Sequence, residues 1–174
     1  MAIPIIETER LIIREYVPED LVQLHMILSD PMTMSFWPAP FTLEQAGDWI
    51  EDNLYNYEEQ GFGRWAIVSK ETRMIIGDCG INCIELDGQI EYDLGYIIHK
   101  LFWNEGYATE AAEACMKYAF EELGLHRLCA NMPTEHLISK RVAEKLGMQL
   151  VKEFRNERNR GIMTYLYAIE QPVK

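Results

Sequence analysis

No apolar run in this sequence approaches the roughly 18 residues that a membrane-spanning helix needs. The opening residues, MAIPIIETER, lack the basic start and long apolar centre of a secretory signal. These absences point to a cytoplasmic protein with no membrane partner. Cysteine is sparse: Cys79, Cys83, Cys115 and Cys129 fall inside apolar segments, without the close pairing of a zinc knuckle. They read as buried free thiols, and no metal site is expected. Repeats, low-complexity tracts and Gly/Ser linkers are also missing, so nothing divides the chain, and 1–174 is expected to be a single domain. Basic residues are few, with 16 Lys and Arg against 28 Asp and Glu. The net charge of -12, with no basic patch, argues against nucleic acid as a partner. An acidic surface attracts amines, but it also serves solubility, so charge alone selects no function.

What the sequence does have is a composition 48% hydrophobic and 25% charged, that of an ordinary globular domain. RLIIREY (10–16) reads as a strand that ends near Pro18. PEDLVQLHMILSD follows as a helix with Leu21, Leu24, Ile27 and Leu28 at helical spacing, and the proline-rich SFWPAPF is irregular. Thr42 and Gln45 form a capping box for a second helix, which Gly61 ends. RWAIVSK, RMIIGDCGINCIE and QIEYDLGYIIH alternate apolar and polar residues around turns near Glu71 and at Asp87-Gly88, the pattern of an antiparallel meander. Further along come a helix from about Gly106 to Gly124, the strand RLCANM, the helix SKRVAEKLGM, and a final strand pair, QLVKEF and IMTYLYAIE. The order is β-α-α-β-β-β-α-β-α-β-β. An exposed apolar edge at YLYAIE would suit a homodimer.

The segment FWNEGYATEAAEACMKYAF carries the main chemical signal. A strand leads through KLFWNE into a helix at Gly106, and the first turn of any helix leaves main-chain N–H groups without partners. Gly106 offers no side chain to block approach, and Ala108 and Thr109 are small, so the turn is suited to hold a phosphate on its amides. A single glycine also fits a plain strand-to-helix turn, and the dinucleotide fingerprint, which needs more glycines, is absent. The stripe Ala108, Ala112, Cys115, Met116, Ala119 and Leu123 is core.

The wording W-N-E-G-Y-A-T-E-A resembles the acyl-CoA-binding turn of the GNAT N-acetyltransferases, whose pattern is Q/R-x-x-G-x-G/A. Trp103 stands in the first slot, and Gly106 and Ala108 fill the small positions. TERLIIR, GRWAIVSKETRMIIG, DLGYIIH, YAFEELGLHRL and SKRVAEKLGM match, in order, the Rim-type branch, the ribosomal-protein N-terminal acetyltransferases. Asn104 and Glu105 depart from that branch's W-G-K-G, and His136 stands where it has asparagine. The resemblance implies an α+β, α/β/α layered fold whose mostly antiparallel mixed sheet has a splayed central strand pair. It also implies an acetyl-CoA-dependent transferase that acetylates a primary amine, on a protein N-terminus or a small molecule, by direct attack on the thioester. A CoA-binding protein of the same fold with little or no activity is the alternative, and a ligand-free interaction module is the third reading.

The resemblance assigns cosubstrate contacts to Ile97, Ile98 and His99 on the splayed strand. Trp103, Asn104, Glu105, Gly106, Tyr107, Ala108 and Thr109 would contribute from the turn, and His136 and Ser139 from the later helix. Asp93 is the first choice of base, against a plain solvated strand residue, with His99 as a second candidate. The tyrosine that many relatives use as acid is replaced by Ala143. Ser139 is left as the donor to the sulfur, or as a helix N-cap. Phe36, Trp37, Trp49 and Tyr55 would wall the acceptor pocket, with Trp37 the better contact and Trp49 the more natural packing residue. Glu51, Asp52, Glu58 and Glu59 would draw in the amine.

Overall fold

The computed structural model describes residues 2–171. Eight strands, β1 (Pro4–Glu7), β2 (Leu11–Arg14), β3 (Arg64–Ser69), β4 (Ile75–Leu86), β5 (Gln89–Ile98), β6 (Arg127–Pro133), β7 (Gln149–Asn156) and β8 (Ile162–Glu170), form one sheet in the order β1-β2-β3-β4-β5-β6-β8-β7. The helices α1 (Leu21–Leu28) and α2 (Leu43–Gln60) cover one face, and α3 (Tyr107–Glu121) and α4 (Leu137–Lys145) cover the other. This is the three-layer α+β arrangement expected.

Local signals account for most of the elements. Thr42 Oγ1 accepts from the Gln45 N–H at 3.1 Å and Gln45 Oε1 from the Thr42 N–H at 2.9 Å, closing the capping box. Gly61 ends α2 at φ 85°, in the left-handed region. Asp87 and Gly88 both have positive φ, which a two-residue hairpin turn matched to strand twist requires. On β2, Leu11 and Ile13 point to the α3 side while Ile12 points to the α1 side, the alternation of a two-faced strand. Ala111, Ala112, Cys115 and Ala119 of α3 are fully buried, and their small volume lets the helix lie close on β4 and β5.

Four expectations change. Strand β1 was not anticipated; it is short, begins at a proline, and is held by pairing to β2. YLYAIE is no edge, because β8 pairs with β6 on one side and β7 on the other, so its main-chain groups are already used. Cys83 is exposed, unlike the other three cysteines, because it lies on β4 beyond the part covered by helices. Ser139 is not the cap of α4: it lies within the helix, which starts after His136.

The sheet is nearly split in its middle. β5 and β6 run parallel and are paired only at Asp93 and Cys129. Beyond that point they diverge, and the cleft so formed holds the candidate site.

Candidate active site

The cleft contains two adjoining cavities. The first, of about 390 Å³, lies between β5, the start of α4 and the α1–α2 loop, and is lined by Met32, Tyr96, Ile98, Trp103, Ala108, Leu137 and Val142, among others. The second, of about 300 Å³, opens on the opposite face and is lined by Trp49, Arg64, Asn82, Asp93, Gly95, Asn131 and Arg158. Phe36, Trp37, Tyr96, His136 and Ser139 border both.

The register of β5 decides which main-chain groups are free. The His99 N–H donates to Ile76 O at 2.9 Å, and in an antiparallel ladder bonded pairs alternate. Gly95, Ile97 and His99 therefore turn their peptide groups toward β4. Tyr96 and Ile98 turn theirs into the cleft. Of the expected trio, only Ile98 turns its main-chain groups into the cleft, and of these the N–H is the free one. Its carbonyl already accepts from Trp103 Nε1 at 2.7 Å, which fixes the entry to the turn. His99 is also removed as a base: it borders neither cavity, its Nδ1 faces the Leu101 N–H at 3.4 Å, and burial holds it below the ordinary histidine range.

The turn itself is open. Asn104 and Gly106 sit in the left-handed region at φ 64° and 81°. Trp103 and Asn104 form a turn, and after it the main-chain N–H groups of residues 106–109 donate to no acceptor among the described residues. A Cβ on Gly106 would meet only Arg10 Nη2, at 3.5 Å. Free amides converging at the start of a 15-residue helix fit a diphosphate. Sequence reasoning missed what holds this turn in place. Glu110 accepts from Thr8 Oγ1 at 2.8 Å, from the Arg10 N–H at 3.1 Å and from Arg10 Nε at 2.7 Å, and Arg10 Nη1 donates to Glu105 O at 2.8 Å. The Arg10 guanidinium also stacks 4.1 Å over the Tyr107 ring. TERLIIR and YATEA are thus two halves of one clamp.

Where the cavities meet, the Tyr96 hydroxyl donates to Ser139 O at 2.8 Å and accepts from Ser139 Oγ at 3.3 Å. Burial raises the Tyr96 phenol above its ordinary range, so it stays protonated. His136 stacks on Phe36 with centroids 4.1 Å apart, and burial lowers its pKa to about 4, leaving a neutral ring. Trp37, Phe41 and Trp49 pack edge to face, and Asn159 Nδ2 donates to Phe36 O at 2.8 Å, closing the β7–β8 loop over the cavity.

Asp93 borders the second cavity and is 8% exposed. Asn131 Nδ2 donates to its Oδ1 at 2.8 Å, and the Cys129 thiol lies 3.7 Å from the same oxygen. Desolvation raises its pKa, opposed by the Asn131 bond and the charge of Arg64. Tyr55 does not join it: the residue is 63% exposed, on the α2 face turned away from Ala46, Ile50 and Asn53. Glu51, Asp52, Glu58 and Glu59 are exposed on α2 and border neither cavity. Trp49 packs as expected, but its Nε1 also donates to Asp78 at 2.9 Å.

Comparison with known proteins agrees with this geometry. Residues 10–149 match the acetyltransferase (GNAT) domain. The chain belongs to the GNAT acetyltransferases, a family that uses acetyl-CoA as acyl donor. It is 33% identical over 171 residues to p20 of Bacillus licheniformis, described as an uncharacterized N-acetyltransferase, covering 93% of each chain. A GNAT-family acetyltransferase structure from Bacillus anthracis superposes with a TM-score of 0.80 at 29% identity, covering 98% of both chains. RimL, a ribosomal L7/L12 alpha-N-protein acetyltransferase solved with coenzyme A, shares the fold at a TM-score of 0.79 and 15% identity, again covering 98% of both.

Proposed function

We propose that the chain transfers an acetyl group from acetyl-CoA to a primary amine by direct attack on the thioester, without a covalent enzyme intermediate. The observation that carries this reading is the cleft between β5 and β6, which runs from the open amides of residues 106–109 past Tyr96 to a buried carboxylate, Asp93. The amides, set in place by the Arg10–Glu110 clamp, would hold the diphosphate, and the main-chain groups of Tyr96 with the N–H of Ile98 would take the amides of the pantetheine arm. When bound, acetyl-CoA supplies the activated acetyl carbonyl. Asp93, with its carboxylate destabilised by burial, takes the proton of the incoming amine, directly or through a water. The Tyr96–Ser139 hydroxyl pair, which borders both cavities, would supply the proton that the leaving thiolate needs. Trp37 and Phe36 wall the acceptor side.

The resemblance to the Rim-type branch and the shared fold with RimL make a protein N-terminus one acceptor class to test, beside free small amines. Purified protein supplied with acetyl-CoA is screened against amines and N-terminal peptides for CoA release, with CoA binding measured by calorimetry. Turnover on any amine supports the reading. CoA binding without turnover supports a cosubstrate-binding protein of low activity, and absence of CoA binding overturns both.

A further inference from the structure

Arg64 is a buried cation whose donor groups are only partly used. Its main chain is pinned on both sides: the N–H donates to Asn53 Oδ1 at 2.8 Å and the carbonyl accepts from the Tyr57 hydroxyl. Its Nε donates to Asp78 Oδ1 at 2.5 Å. Nη2 lies at the same distance from that oxygen, at an angle that leaves its N–H bonds without an aligned acceptor. Nη1 occupies the place where a side chain on residue 95 would begin, 1.9 Å from an ideal Cβ, so Gly95 is what admits the guanidinium to the cavity wall. Asp78 has no capacity to spare, since Tyr16 at 2.5 Å and Trp49 at 2.9 Å donate to its other oxygen. Arg64 is 4% exposed: Nη2 is buried against Asp78, and Nη1, beside Gly95, is the donor group left to face the cavity, where a charged acceptor would satisfy it.

The charge of the cavity sharpens the point. Its charged lining groups are Arg64, Arg158 and Asp93, with the Arg64 charge opposed from behind by Asp78, so the cavity is not acidic although the net charge of the protein is -12. His136 is neutral, and the acids of α2 stand outside. A simple polycation finds little here to recognise it. Asp93 and Gly95 are two positions apart on one face of β5, about 7 Å along the strand. A ligand with its amine at Asp93 would therefore carry its anion only a few bonds away to meet Arg64.

We infer that the acceptor is an amine bearing a nearby carboxylate, of the α-amino acid type, held by Arg64 through Gly95 while its amine faces Asp93. This rests on the acetyl-transfer reading above and names the substrate class for it. A charge-assisted bond of this kind is worth about 1.5–3 kcal/mol, or roughly 10- to 100-fold in selectivity.

The test uses matched pairs: phenylalanine with 2-phenylethylamine, tyrosine with tyramine, methionine with 3-methylthiopropylamine. CoA release from acetyl-CoA gives kcat/KM for each, and calorimetry measures the N-acetylated form of each compound, with and without CoA present. The expected result is a preference of tenfold or more for the carboxylate member of a pair. It should fall to within about threefold in Arg64→Lys, which keeps the charge opposite Asp78, and in Gly95→Ala, which displaces the guanidinium, in variants whose circular dichroism matches the parent. Equal or better use of the decarboxylated amines, or a preference that survives in both variants, overturns the inference. Where neither member turns over, the calorimetric preference decides in the same way. Loss of CoA binding by the parent chain would instead count against the acetyl-transfer reading.

Discussion

Stability and the proposed activity both bear on one buried side chain, Asp93. Its pKa is raised by burial, so the neutral acid is the form the fold favours. The stability this group contributes is therefore fully present below the unfolded carboxylate range, near pH 4, and is lost as the pH rises through the folded value. Asp93→Asn should lower kcat/KM by about 10²- to 10⁴-fold if the carboxylate is the base. The same change should raise the thermal midpoint at pH 7–8, with little effect near pH 3, because the ionised form is no longer forced into the interior. Melting curves across pH together with a pH–rate profile check both halves, and an unchanged rate profile removes Asp93 as the base. Gly106 carries two demands at once. A side chain there has open space apart from Arg10, so the fold objects through the positive φ, at about 1–2 kcal/mol, more than through a clash. Gly106→Val should lose that much stability and also weaken acetyl-CoA binding tenfold or more, since the new methyls lie over the free amides; unchanged affinity by calorimetry would rule out the amide cradle.

At the scale of elements, the clamp from the β1–β2 turn to α3 is the feature that positions the turn. The Arg10 and Glu110 side chains are 41% and 19% exposed, and an ion pair that wet is worth about 0.5–1 kcal/mol. Glu110→Gln should therefore raise the KM for acetyl-CoA by no more than roughly fivefold and leave kcat almost unchanged, with the gap narrowing in high salt. A large loss of kcat would mean that Glu110 acts on the reacting groups and not on the turn. The clamp also marks the limit of what the sequence discloses about elements. The Thr42 box, the Asp87-Gly88 hairpin, the Gly61 stop and the Gly106 turn are local, set by residues within four positions of each other, and each is legible in the chain. Thr8 and Arg10 meet Glu110 across about a hundred residues, and no local pattern announces that pairing. Ser139 failed as a cap for a related reason: a serine ahead of an apolar run is a start signal only if the helix begins there, and α4 begins three residues earlier.

For the whole molecule, the layer order followed from the sequence of strand and helix patterns, but the strand order did not. β8 reads as an apolar edge until β7 is seen to lie outside it, and the directions of the β5 peptide groups depend on a register that only the folded sheet fixes. The Arg64, Asp78, Tyr16 and Trp49 cluster draws on β3, β4, the segment after β2 and α2, so its members were scattered in the sequence with no shared spacing. The most consequential tertiary feature is the split sheet. β1 to β5 and β6 to β8 are joined along the sheet by one residue pair, so the ladder is interrupted where the groove opens. Acetyl-CoA bound in that groove as proposed would contact β5 on one side and α4 on the other, a site that exists only in the folded chain. Acetyl-CoA at one hundred times its dissociation constant should therefore stabilise the fold by about 2.7 kcal/mol, which for a chain of this size is a rise in Tm of roughly 5–10 °C. Hydrogen exchange should slow most in β5, β6 and the start of α4 under the same conditions, because those elements border the groove. A Tm shift without protection there would place the ligand elsewhere on the molecule, and protection confined to the turn at Gly106 would mean that only the nucleotide end is held.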